Sequence, residues 1–160
     1  MKRKEFRTTI DAAREKVWQV LWADETYPKW TAPFSEGSRA ETDWKEGSKV
    51  LFLSADGGGM VSRIGKKRDN EYMSIEHLGF IKDGVEDTTS EKVLEWKGAM
   101  ENYTLKTIAG KTELNVTMDI TDEYLDYFLK TWPKALQKVK EISENNNQID
   151  RNNSHLISNT

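Results

Sequence analysis

The sequence predicts an α+β fold in which a curved antiparallel sheet of about seven strands packs against one long C-terminal helix, with two short helices after the first strand. Three observations carry this. An aromatic, amphipathic segment runs from about Asp122 to Glu144, it follows directly on a run of alternating strand patterns from Gly37 to Thr121, and helical patterns fall only at the start and end of the chain. At 160 residues the chain has the size of one domain with room for a sizeable core. The domain is expected over residues 1–144, with a disordered polar tail over 145–160 beginning at Asn145-Asn146-Asn147-Gln148.

Taken in order, Phe6, Thr8 and Ile10 alternate with charged neighbours, the period of a half-buried strand. Asp11 is the expected N-cap of an amphipathic helix carrying Ala13, Val17, Val20 and Leu21, with Trp18 and Trp22 alongside. Tyr27, Pro28, Trp30 and Pro33 predict a second short helix or turn, because two prolines oppose a long one. Val50 and Phe52 alternate with Leu51 and Leu53, and Asp56-Gly57-Gly58-Gly59 turns the chain into a strand over Met60 to Lys66. That glycine run is a hairpin turn rather than a phosphate cradle, since a strand and not a helix follows it. Glu71 to Ile81 reads as the next strand, Asp83-Gly84 breaks the pattern, and Ser90 caps a helical turn with Val93, Leu94 and Trp96. The clearest hairpin places Tyr103, Leu105 and Thr107 before Ala109-Gly110-Lys111, with Leu114, Val116, Met118 and Ile120 returning.

In the closing helix Tyr124, Phe128, Thr131, Trp132, Ala135, Val139 and Ile142 recur at three- and four-residue spacing, with Pro133 inside that stripe. An interior proline costs about 3 kcal/mol, so the helix is expected to bend near Leu129 or to begin anew near Trp132.

Composition excludes several classes of function. Lys and Arg number 24 against 27 Asp and Glu, a net charge of -3, and the basic runs Lys2-Arg3-Lys4 and Lys66-Lys67-Arg68 are too short and scattered for nucleic acid. The absence of cysteine excludes disulfides, thiolate nucleophiles and zinc–cysteine sites. Met1 to Ile10 is charged and alternating, and no run of 18 apolar residues occurs, so a soluble cytoplasmic protein without a membrane span is expected.

The opening Ile10-Asp11-Ala12 with Val17-Trp18, Leu21, Tyr27 and Trp30, the run Gly98-Ala99-Met100-Glu101-Asn102-Tyr103-Thr104-Leu105, then Thr112-Glu113-Leu114 and Trp132-Pro133-Lys134-Ala135-Leu136, resemble one branch of a known superfamily. It is the START-like (SRPBCC, helix-grip) superfamily, and the branch is that related to the activator of the ninety-kilodalton heat-shock-protein ATPase. The resemblance spans about Lys2 to Asn145. It implies a sheet gripping the last helix around a cavity, with working groups on the cavity face, where this chain has Phe52, Met60, Met73, Ile75, His77 and Tyr103. Because that fold hosts carriers, cyclases, hydrolases and co-chaperone modules, it does not by itself select a function.

Strand parity places His77 on the side of Met73 and Ile75, while Glu76 faces the other way. Glu101, two residues before Tyr103, is a candidate inward carboxylate, and Asp119 has outward parity. Trp30, Trp44 and Trp96 fall in connecting segments and either pack under loops or roof a cavity mouth, whereas Trp18, Trp22 and Trp132 are expected in the core. The leading expectation is a pocket for a small hydrophobic or aromatic molecule, lined by Trp30, Phe52, Met60, Met73, Ile75, His77, Glu101, Tyr103, Phe128 and Trp132. No metal site is expected, since the other histidine is His155 in the tail, and no cofactor. Two alternatives stand beside it: a protein-interaction module acting on a chaperone ATPase, as the branch implies, and an enzyme using His77 or Glu101 as acid–base.

Overall fold

The computed structural model describes the backbone of residues 1–158 and the side chains of residues 1–145. Its strands are β1 (Lys2–Ile10), β2 (Arg39–Glu41), β3 (Lys49–Leu53), β4 (Gly59–Arg68), β5 (Tyr72–Lys82), β6 (Val85–Asp87), β7 (Met100–Ile108) and β8 (Lys111–Ile120). The helices are α1 (Arg14–Trp22), α2 (Tyr27–Thr31), α3 (Glu91–Leu94) and, after a 3-10 turn at Asp122–Tyr124, α4 (Leu125–Ser158). The disordered tail expected over 145–160 falls, beyond Asn145, on residues whose side chains lie outside the described ones.

All strands join one antiparallel sheet in the order β1-β8-β7-β5-β4-β3-β2, with β6 paired to β5. Alternation sets which face is buried: along β8, Thr112, Leu114, Val116, Met118 and Ile120 point inward and the residues between them do not. α4 lies across the inner face against β1, α1 and α2. The core is the space between, filled by Val17, Leu21, Val50, Ile64, Leu114, Val116, Ala135 and Val139 among others.

Three local expectations are corrected. The N-cap of α1 is Ala13, with no side-chain bond, because Ala12 is buried and its carbonyl accepts from the Thr112 hydroxyl at 2.7 Å, which holds the segment after Asp11 extended. The Asp11 amide instead donates to Glu144 on α4 at 2.9 Å. α4 does not begin anew near Trp132 but runs through Pro133, which is exposed beside the apolar stripe rather than within it. The carbonyl it deprives of a helical partner belongs to Leu129, an exposed residue. Asp83-Gly84 ends β5 as expected and forms a two-residue hairpin turn into β6, with φ of 51° and 77°, matching Ala109-Gly110 at 51° and 79°.

On the outer face Asp119 takes a hydrogen bond from Arg3 Nε at 2.9 Å and one from the Met100 amide at 2.9 Å. Burial alone would raise its carboxyl, but these two bonds and the charge of Arg3 outweigh burial and hold it below the usual carboxylate range. A depressed carboxyl stabilises the fold above its unfolded value of about 3.9 and loses that contribution as pH falls through the folded value. Asp119→Asn removes the charge and one of the two accepting oxygens, so it is expected to cost about 1 kcal/mol at pH 7. Urea midpoints of mutant and parent, measured from pH 7 down to about 3, should converge at the acid end.

Candidate functional site

Trp132 of α4 sits over the middle of the sheet, its ring 5.9 Å from Phe6 of β1, 6.2 Å from Trp30 of α2, 5.0 Å from Phe34 and 6.1 Å from Tyr103 of β7. Its indole N–H points to the Met118 sulfur at 3.1 Å, and the Trp30 indole donates to the Leu21 carbonyl at 3.0 Å. On the α1 side the gap between helices and sheet is closed, since the Trp22 ring packs 4.8 Å from both Trp44 and Tyr103. Trp44 reaches that position from a left-handed backbone, φ 59°, held by its amide donating to Thr42 Oγ1.

Toward the first turn of α4 the helix and sheet separate and leave a cavity of about 830 Å³. Trp30, Phe52, Met60, His77, Glu101, Tyr103, Phe128 and Trp132 line it. Met73 and Ile75 do not: both are fully buried in the core, Met73 opposite Tyr103 and Ile75 between Ile64 and Glu101 across the ladders, at the end of β5 that the Trp22 cluster has filled. Trp96 meets Phe80 edge to face at 4.9 Å at the rim, while Trp44 packs in the core side of the wall against Trp22 and Phe52. The mouth lies between the exposed Tyr124 of the 3-10 turn and Tyr127 of α4 on one side and the β3–β4 and β5–β6 turns on the other, with Val85 exposed at its edge.

The floor carries a connected polar row. Ser62 Oγ lies 2.7 Å from His77 Nδ1, His77 Nε2 lies 3.1 Å from Glu101 Oε1, and the Tyr103 hydroxyl donates to Glu101 Oε2. With Glu101 ionised and the imidazole neutral, Nε2 carries the proton and donates to Glu101, Nδ1 accepts, and the Ser62 hydroxyl donates to it. Every member is therefore satisfied by one direction of donation ending on Glu101. Burial raises the Tyr103 hydroxyl well above its usual value, and the Glu101 charge and bond add to it, so Tyr103 remains a donor at ordinary pH. Tyr27, whose ring stacks on Phe52 at 6.2 Å, is raised by burial and then by Glu101 in the same way.

Ser62 completes a serine–histidine–carboxylate row, but it is fully buried and does not line the cavity. It serves His77 rather than a bound molecule. Sequence reasoning missed it, although Met60 and Ser62 share strand parity and the face of Met60 was read as inward. What parity hides is the β-bulge between Val61 and Ser62, which drops the register by one and brings Ser62 opposite His77. Among the described residues no cluster of His, Asp and Glu is arranged for a metal ion, and no helix is long and apolar enough to cross a membrane.

The chain matches no protein-family model and no curated protein. Solved structures share its fold. The Aha1 dimer from Colwellia psychrerythraea has a TM-score of 0.68 at 20% identity, covering 88% of this chain and 95% of that one. Protein MLL2253 from Mesorhizobium loti has a TM-score of 0.69 at 12% identity, covering 90% and 98%. CalU16 from Micromonospora echinospora has a TM-score of 0.62 at 13% identity, covering 88% and 75%. The chain therefore shares the helix-grip fold of these structures, with the Aha1 dimer among its structural neighbours.

Ser62→Ala removes the donor to a buried imidazole nitrogen and leaves that nitrogen without a partner. It is expected to cost about 1–3 kcal/mol in urea unfolding. In the background of His77→Phe the same substitution should cost far less, and that difference is read from a double-mutant cycle.

Proposed function

We propose that the protein binds a small hydrophobic or aromatic molecule in the cavity between the sheet and α4, oriented by the Glu101–His77–Tyr103 row. One observation carries this reading: a cavity of about 830 Å³ walled by aromatic rings, with a satisfied polar row on its floor. Pockets for small molecules commonly measure 300–1,000 Å³ and pair apolar walls with few polar groups. Desolvation of the ligand supplies the affinity, and the floor fixes its orientation.

A second reading, interaction with a chaperone ATPase, is supported by the likeness to the Aha1 dimer and by the exposed Tyr124, Tyr127 and Val85 at the mouth. A cavity left open between helix and sheet supports the small-molecule reading over it, because a protein-docking module gains nothing from an unfilled interior. Acid–base catalysis on the bound molecule would fall to Glu101 and His77, the titratable groups of the floor that face the cavity.

Native mass spectrometry of gently purified protein is expected to show a small-molecule adduct that is lost on denaturation. Added ligand at about 100 times its Kd should stabilise the fold by about 2.7 kcal/mol, a Tm rise of about 5–10 °C for a chain of this size. Met60→Trp fills the cavity from β4 and is expected to weaken that binding at least about tenfold, by about 1.4 kcal/mol, with little change in Tm. No adduct, and no Tm response to a panel of apolar and aromatic compounds, would leave the interaction module as the better reading.

A further inference from the structure

The acidic side chains around the cavity differ in one respect. Asp56 is occupied by its own turn, accepting from the Gly58 amide and the Ser54 hydroxyl, and the charge of Lys82 also acts on it. Asp87 accepts from the Thr89 and Ser90 amides. Asp119 is paired with Arg3 on the outer face. Glu101 alone among the acids lining the cavity has its carboxylate on the floor, with its side chain 14% exposed, and no lysine or arginine of the described residues lies within ion-pair distance. Its two oxygens rest on Tyr103 and His77, and neither supplies a positive charge while the imidazole is neutral.

A carboxylate removed from water is stabilised most by an opposite charge, and hydrogen bonds from neutral donors replace only part of what water gave it. The surrounding wall supplies a second attraction of the same sign. Tyr27, Trp30, Phe52, Tyr103 and Trp132 line the space around Glu101, and the face of an aromatic ring carries negative potential that attracts organic cations. The floor of the cavity thus presents a cation with one buried charge and several ring faces, and an anion with repulsion from both, while Lys82, which also lines the cavity, stands exposed at the end of β5 with its charge acting on Asp56.

We propose that the ligand is an organic ammonium: an aromatic or alicyclic molecule whose tertiary or quaternary nitrogen sits beside Glu101 among these rings, with its apolar body toward the mouth. This rests on the small-molecule reading above and narrows it by charge. The strongly hydrated ammonium of a short primary amine fits less well than a substituted nitrogen, because the wall offers rings and few acceptors.

The test is a matched set with one shape and three charges: (2-naphthylmethyl)trimethylammonium, its neutral carbon isostere 2-neopentylnaphthalene, and 2-naphthylmethanesulfonate. Each is titrated into the full chain and followed by amide chemical shifts. The cation is expected to bind at least about tenfold more tightly than the neutral compound, and the sulfonate most weakly. In Glu101→Gln the ratio of cation to neutral affinity should collapse toward one, whatever the absolute affinity of the neutral compound, and the dispersion of the amide spectrum itself reports that the variant is folded. If the neutral compound binds as well as the cation in the parent protein, the charge inference is overturned and the pocket reading survives. Should Glu101→Gln keep the preference, the assignment to Glu101 is wrong. If none of the three shifts the amides of β4, β5 and β7, both readings fail together.

Discussion

The indole of Trp132 touches β1 through Phe6, α2 through Trp30, β7 through Tyr103 and β8 through the Met118 sulfur, so one side chain fixes the closing helix to four separate elements. Large aromatics dominate any core they join, and this one is also the inner wall of the cavity. On the α1 side of Trp132 the space under the helix is filled by Trp22, Tyr103 and the β-branched and aliphatic residues of the sheet. On the other side it is not. The packing that anchors α4 is therefore also what holds the helix away from β3, β4 and the outer part of β5, and the cavity exists because Trp132 sits where it does.

The polar row on the floor works against stability unless every member has a partner, since a buried donor or acceptor left unmade costs more than a bond gains. Here the geometry meets that condition with two devices that cost little. The bulge at Val61/Ser62 rotates Ser62 opposite His77, and the shared parity of Glu101 and Tyr103 places a phenol over the second carboxylate oxygen. The arrangement leaves one carboxylate at the boundary between protein and cavity. In the proposed role the row sets specificity rather than stability, since buried polar groups replaced by apolar residues of similar volume often leave a fold no less stable.

The sequence carried the fold and most of the inward-facing set, because those depend on period. Alternation through β7 and β8, helix spacing in α4 and turn residues at Asp56-Gly59 and Ala109-Gly110 each specify a local geometry that the tertiary structure keeps. Parity likewise placed His77, Glu101 and Tyr103 on one face and Glu76 and Asp119 on the other, where they pair with Arg63 and Arg3. Position along a strand was not legible. Met73 and Ile75 share the face of His77, yet they lie where Trp22 and Trp44 fill the space, and that filling depends on a left-handed tryptophan no periodicity reveals. Asp11 illustrates the same limit, since its role as a cap was overridden by a tertiary bond from Thr112 to Ala12.

The central claim is that the helix and sheet enclose room for a guest beside Glu101. An X-ray structure of crystals soaked with 2-bromonaphthalene tests it most directly, because bromine is located by its own anomalous signal. The account predicts an anomalous peak inside the space bounded by Phe52, His77 and Trp132, with those side chains where they stand here. A structure in which Phe52, Phe128 or Tyr127 has moved in to fill that space, with bromine only on the outer surface, would contradict it.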